Sequence, residues 1–351
     1  MKKCFNTVLL VLFFLFLVSG IVFAGGGGQQ SSGGGQAKLS MTNIVATTNP
    51  VGVEYYIISV AQSKVLNTHA GLRVTVQPST GSVAQFRAVR TKEAHTGMST
   101  AQGMSDAWLG EKTFAADGRQ TWLRAIQCGS DTLFGLVTRQ DTGIKSIPEL
   151  RGKRVTFNFP ADLTARFSAR QMMVAFGLNP DTDVVPMVAE FTQAGFVDLK
   201  EGRTDASIGA LRNSYLLEVN TVSPLVVLPF PANLISFVHR ELPGMFPVNT
   251  DGIPAIADGI PVVGSPCVMY TYEDFPDDVV YIMLKTLLEK QNELIEQNEG
   301  LMKHWSKEKA IRDFGVPYHP GAIQYYKEIG LWTNQLQAMN DAALKGAGKA
   351  R

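Results

Sequence analysis

Residues 72–89, LRVTVQPSTGSVAQFRAV, contain the change of period that decides the fold class. Leu72, Val74 and Val76 alternate on one face, the mark of a half-buried strand. After Pro78 the period changes. Val83, Phe86 and Val89 recur at helical spacing, with Ser79 or Thr80 as the expected capping residue. A strand that turns directly into an amphipathic helix opens a strand–helix–strand unit.

The alternation continues in both directions. Upstream, MTNIVAT (41–47) reads as a strand, and Asn49-Pro50 precedes an amphipathic run from Val53 to Leu66. Downstream, HTGMS is a short strand, AQGMSDAWLG a short helix, and TWLRAIQ and TLFGLVTR are two strands. A second series follows the polar turn QDTG. It comprises the strand RVTFNF, a helix over 163–176 stopped by Gly177, then DVVPMV, FTQAGFVDLKEG and DASIGAL as strand, helix and strand. Helices of this length between strands imply parallel units with right-handed crossovers. Two similar series imply an α/β fold with two lobes: residues 38–138 plus 266–346 form one and 139–265 the other. From Asp274 onward the pattern is helical. Pro276 opens a helix reaching Asn298, with Val280, Leu284, Leu287 and Leu288 on its apolar side. Further helices are expected at 307–313, 321–330 and 335–346, before a frayed KGAGKAR terminus.

Composition narrows the function classes. Of 351 residues, 45% are hydrophobic and 18% charged, which excludes disorder as the dominant state. Thirty-two Lys+Arg against 31 Asp+Glu leave no basic excess for nucleic acid. Three cysteines are too few for a disulfide scaffold and lack zinc-ligand spacing. The one long apolar run excludes a polytopic membrane protein.

That run lies near the start. Lys2 and Lys3 precede an apolar stretch from Val8 to Val18, and Val22 and Ala24 occupy the two positions a signal peptidase reads. Residues 1–24 are therefore expected to be a signal peptide cleaved after Ala24, with an uncleaved anchor as the alternative. Cys4 precedes the run, so it offers no lipidation site at the mature end. Residues 25–37, opening GGGGQQSSGGGQ, read as a flexible linker. Export places Cys128 and Cys267 where pairing is permitted, and two separately buried thiols are the other reading.

Candidate ligand contacts gather where small polar residues open helices after strands: Asn49–Gly52, Ser79–Ser82, Ser99–Gln102 and Asn158–Thr164. There the first N–H groups of a helix are free and its dipole favours an anion. The candidates are Gly52, Tyr55, Tyr56, Thr80, Gly81, Ser82, Val83, Ser99, Thr100, Arg124, Asn158 and Thr164. Arg124, alone in the apolar strand TWLRAIQ, either grips a carboxylate at two points or faces solvent from an edge. Tyr55 and Tyr56 either line a pocket or staple the first helix. Whether Gln127 or Asn213 reaches the cleft stays open. His69, His95, His239, His304 and His319 show no metal spacing, and no nucleophile elbow, Walker loop or dinucleotide fingerprint is present. No catalysis, cofactor or metal is expected.

Five stretches together carry a family resemblance. Val76 to Gln85 is similar to a V-x-P-x-x-T-G-G-S-V-x-N segment. With it stand GIKSIPELRGKRVTF, LKEGRTDASIGA, DDVVYIMLKTLLE and YHPGAIQYYKEIGLW, in consistent order over residues 40–332. The chain resembles the TAXI family, the solute-binding proteins of TRAP transporters. The resemblance implies a two-lobed fold of the periplasmic binding protein kind (type II-like) with C-terminal helices. It also implies a small carboxylate ligand (a dicarboxylate, 2-oxo acid or amino acid) in the interlobe cleft, and delivery by a monomeric receptor to a TRAP permease. A receptor docking on a sensor kinase and an exported enzyme are the alternatives. Three departures stand out. Pro50-Val51-Gly52-Val53-Glu54-Tyr55-Tyr56 replaces P-G-G-T-Y-Y, Asn158 to Thr164 replaces a Gly/Ser-rich turn, and a Tyr is missing from IPAIADGIP.

Overall fold

A computed structural model describes residues 39–346. The expected signal peptide, the linker and the last five residues of the frayed terminus lie outside the described residues.

The first series folds as its periods dictate. Strand β1 (Asn43–Thr48) leads into α1 (Glu54–His69), and β2 (Arg73–Pro78) returns parallel to β1, in register from Asn43 opposite Arg73 to Thr48 opposite Pro78. Helix α2 (Ser82–Arg90) buries Phe86 and Val89. Strand β3 (Gly97–Thr100) runs directly into α3 (Ala101–Leu109).

The two strands expected next are one. β4 (Leu123–Arg139) is a continuous 17-residue strand. The Gly129-Ser130-Asp131 segment, turn-like by composition, is instead a bulge. Opposite it, the partner strand advances two residues, from Pro266 to Val268, while β4 covers the three from Asp131 to Cys128. Gly129 is required there, because a Cβ would lie 2.2 Å from the ring of the fully buried Trp305. Gly129→Ala is expected to cost about 1–3 kcal/mol by overpacking, measured as a lower urea midpoint with unchanged slope.

The second series supplies β5 (Arg154–Asn158), α4 (Leu163–Ala175), β6 (Val185–Val188), α5 (Thr192–Lys200) and β7 (Ala206–Ala210). β5 pairs parallel with both β6 and β7, and β7 pairs antiparallel with β4. Then come α6 (Tyr215–Asn220), β8 (Leu225–Leu228), α7 (Ile235–Glu241), β9 (Phe246–Asn249) and β10 (Pro261–Tyr272). The resulting mixed sheet has the order β3-β10-β4-β7-β5-β6, with β8 on β4 and β9 on β10.

The C-terminal helices are shorter than their periods suggest. The expected helix from Pro276 to Asn298 is broken into α8 (Asp277–Glu289) and α9 (Gln291–Gln297), followed by α10 (Glu299–Met302). No helix forms over 307–313, because the carbonyl of Ala310 accepts from Cys128 N (2.8 Å) and Tyr326 Oη (3.2 Å). Tertiary bonds to β4 and α11 (Pro320–Glu328) thus override the local pattern. α12 (Asn334–Leu344) ends the described chain.

The apolar core is divided. One cluster draws on residues 44–128 and 267–326, including Trp305, Tyr318 and Tyr326. Two others are built from residues 133–263, joined by a single outsider, Val53. On β4 membership changes between Cys128 and Leu133, and on β10 between Val263 and Cys267. The fold is therefore an α/β structure of two lobes with β4 and β10 running through both. Cys128 and Cys267 are both free and buried. Val268 stands opposite Cys128, so the pleat turns the two thiols to opposite faces, Cys128 toward Tyr318 and Cys267 toward Met98.

Candidate ligand cavity

A cavity of about 60 Å³ lies where elements of both lobes meet, well above the roughly 10–15 Å³ that one water needs. The starts of five helices reach it: Val53 and Glu54 of α1, Ser82 and Val83 of α2, Thr100 before α3, Asp162 and Leu163 of α4, and Phe191 and Thr192 of α5. The ends of β3 and β7 add Ser99 and Ala210, and the middle of β4 adds Thr132 and Phe134.

The capping of these helices divides them into two kinds. Thr100 caps α3 by accepting from Gly103 N at 3.0 Å, and Asp162 caps α4 by accepting from Ala165 N at 3.1 Å. The first amide of α1, Glu54 N, donates to Asn213 Oδ1 from the other lobe at 2.9 Å, and the starts of α2 and α5 carry no side-chain cap. Ser79 does not cap α2 as expected, because its hydroxyl donates to Thr48 O (2.9 Å); the N-cap is Gly81. Uncapped first-turn amides attract anions.

No Lys, Arg or His is among the described residues lining the cavity, yet three carboxyl groups are. Glu54 is fully buried, and desolvation pushes its pKa up to about 7 against the weaker pull of Arg212. Its Oε1 accepts from Ser130 Oγ at 3.4 Å, and its Oε2 has no partner. Desolvation likewise raises Asp162 to about 6, opposed by its bonds to Ala165 and Thr192. Asp106 is raised by burial, although Gln102 and Lys112 donate to it at 2.9 and 2.7 Å. Phe86, Phe114, Phe134 and Phe191 complete the walls, and Tyr55 Oη accepts from Thr132 Oγ1 at 3.1 Å.

Six of the sequence candidates line this cavity: Tyr55, Ser82, Val83, Ser99, Thr100 and Thr164. The hydroxyls of Thr100 and Thr164, from opposite lobes, lie 3.4 Å apart. Gly81 stands just outside, where a Cβ would meet Ala161 O of the other lobe at 2.5 Å. Gly52 abuts Ser214 and Tyr215. Thr80 is exposed and lines a separate surface hollow with Pro50 and Glu190. Tyr56 and Asn158 are half-buried and are not among the lining residues. Arg124 is elsewhere: its guanidinium donates to Glu273 (2.9 Å) and to the carbonyls of Thr121 and Leu123, with Trp108 beside it.

Sequence reading passed over Glu54 and Asp162 and left Asn213 and Gln127 open; Asn213 lines the cavity and Gln127 is not among the lining residues. Both of the missed residues left a trace, since Glu54 is the one charge in the run from Val51 to Val60 and Asp162 sits within a quoted helix start.

A two-lobed α/β chain with a polar cavity at the meeting of its lobes is the architecture of periplasmic binding proteins. The chain belongs to the NMT1-like family, whose model matches residues 46–330. Among solved structures it is similar to one described as a periplasmic transporter, at 14% identity and a TM-score of 0.53, covering 90% of this chain and 100% of that one. The alkanesulfonate-binding protein SsuA from Xanthomonas axonopodis pv. citri, bound to MOPS, matches at 11% identity and a TM-score of 0.49, over 88% of this chain and 85% of that one. The amino acid ABC transporter substrate-binding protein AbpA from Streptococcus pneumoniae, bound to L-arginine, matches at 14% identity and a TM-score of 0.46, over 74% and 94%. No helix among the described residues is long and apolar enough to cross a membrane.

Proposed function

We propose that this chain is an extracytoplasmic solute receptor. It binds a small carboxylate between its lobes and hands it unchanged to a membrane permease of the TRAP type. The observation that carries this reading is the convergence of five helix starts on one cavity, two of them, α2 and α5, with no side chain on their first amides. The counter-charge for the carboxylate is the helix amides and dipoles, not Arg124. In the proposed division, residues 38–138 plus 266–346 and residues 139–265 are the two lobes. Ligand selects the closed arrangement because it touches both.

The three carboxyl groups narrow the solute. A second carboxylate on the ligand would face Glu54, Asp162 or Asp106 with no cation to offset it, whereas an ammonium or hydroxyl group would be welcome there. An amino acid is therefore favoured over a dicarboxylate. Native mass spectrometry of freshly purified protein tests this. A retained amino acid or hydroxy acid is the expected result. A protein that retains nothing and shows no thermal shift with a panel of amino, 2-oxo and dicarboxylic acids defeats the proposal.

A further inference from the structure

Asn213 follows β7, at the start of the turn into α6, and is 3% exposed. Its side chain lines the cavity and uses only one of its two ends. Oδ1 accepts from the amide of Glu54 at 2.9 Å, on the other lobe, while Nδ2 is buried without a partner. The next two residues grip the same stretch. Ser214 donates to Gly52 O from both its amide (3.3 Å) and its hydroxyl (2.9 Å), and Tyr215 Oη donates to Val51 O. Gly52 has φ +85°, and a Cβ there would meet Ser214 Oγ at 2.9 Å, so this approach is open to glycine alone. Val53, 3% exposed, packs in one apolar cluster with Phe191, Tyr215 and Ile253 of the other lobe. Residues 51–54 are thus clasped by residues 213–215.

We propose that Asn213 is a solute-contacting residue that also fastens the two lobes. Its free amide N–H donates to an oxygen of the bound solute, while its carbonyl oxygen holds the first amide of α1. Beside it Glu54 Oε2 is likewise buried without a partner, so two unpartnered polar atoms line the cavity together. The solute contact rests on the receptor reading above; the fastening rests on the clasp geometry alone.

Two measurements separate these roles. Calorimetric titration uses L-serine, L-leucine and L-lactate, each with a single carboxylate, as probes, and small-angle X-ray scattering follows the ligand-free protein. N213D keeps the acceptor for Glu54 N–H and loses the donor. Its scattering is expected to match the wild type, and its affinity for whichever probe the wild type binds is expected to fall at least about tenfold, the worth of a hydrogen bond to a charged group. The S214A/Y215F protein leaves the cavity intact but loosens the clasp, and its radius of gyration is expected to rise. If N213D does not fold, the wild-type Asn213 side-chain amide resonances, assigned by their loss in N213A, are expected to move when the probe is added. Affinity of N213D within twofold of wild type, or unmoved amide resonances, overturns the solute contact. Unchanged scattering of S214A/Y215F and N213A overturns the fastening. A wild-type protein that binds none of the probes defeats the solute contact together with the amino-acid reading, and the scattering still decides the fastening.

Discussion

Replacing Glu54 by Gln makes the protein progressively more stable relative to the wild type as the pH rises from 4.5 to 7, by about 3 kcal/mol in all. The sign follows from burial. Glu54 is fully buried, and its folded-state pKa is raised from 4.5 to about 7. Below pH 4.5 the carboxyl is neutral in both states, and its contribution to wild-type stability is fully present. Between these values the unfolded chain releases the proton while the folded chain keeps it, so the contribution is lost as the pH rises. The wild-type curve alone does not display this. His304 and His319 are each lowered to about 4 by desolvation, so over about pH 4 to 6.5 they stabilise the fold as pH rises. Both histidines remain in the variant and cancel in the difference. Urea unfolding of the two proteins at pH 4.5, 6 and 7.5 gives that difference directly. A gap that stays constant across the range would show that Glu54 ionises normally in the folded protein.

Gly81→Val is expected to abolish measurable solute binding while leaving both cores folded. Gly81 adopts φ +156°, which a branched residue enters at a cost of about 1–3 kcal/mol. The added Cβ would also overlap Ala161 O of the facing lobe, 2.5 Å away. The backbone strain is local and weighs on open and closed forms alike, whereas the overlap with Ala161 falls on the closed arrangement, since opening the cleft would part residues 81 and 161. A closure penalty of about 3 kcal/mol lowers affinity by about 100-fold. Titration of the solute retained by the wild type, with circular dichroism to confirm folding, measures this. Wild-type affinity would mean that the two residues need not approach for binding.

The parts of this molecule that sequence reveals are those written locally. Change of period placed β2 and α2, and the hydroxyl-rich turns marked several of the helix starts that now surround the cavity. Features set by distant partners were not legible. Arg124 reads as a free cation in its strand, yet its partner Glu273 is 149 residues away. The break between TWLRAIQ and TLFGLVTR looks like a turn because it contains Gly, Ser and Asp; only the pairing of β10 across it shows a bulge. Residues 307–313 have helical spacing, but their backbone is claimed by β4 and Tyr326. Asn213 is an ordinary polar residue until the fold sets it beside Glu54.

The divided core also orders events at birth. The two clusters built from residues 133–263 have nearly all their members once that segment is available to fold. The other waits, because strand β10 and helices α8 and α11 must reach back to residues made more than 140 positions earlier. The amino-terminal elements can pack on one another early, but their side of the core is closed only when the carboxyl-terminal helices arrive.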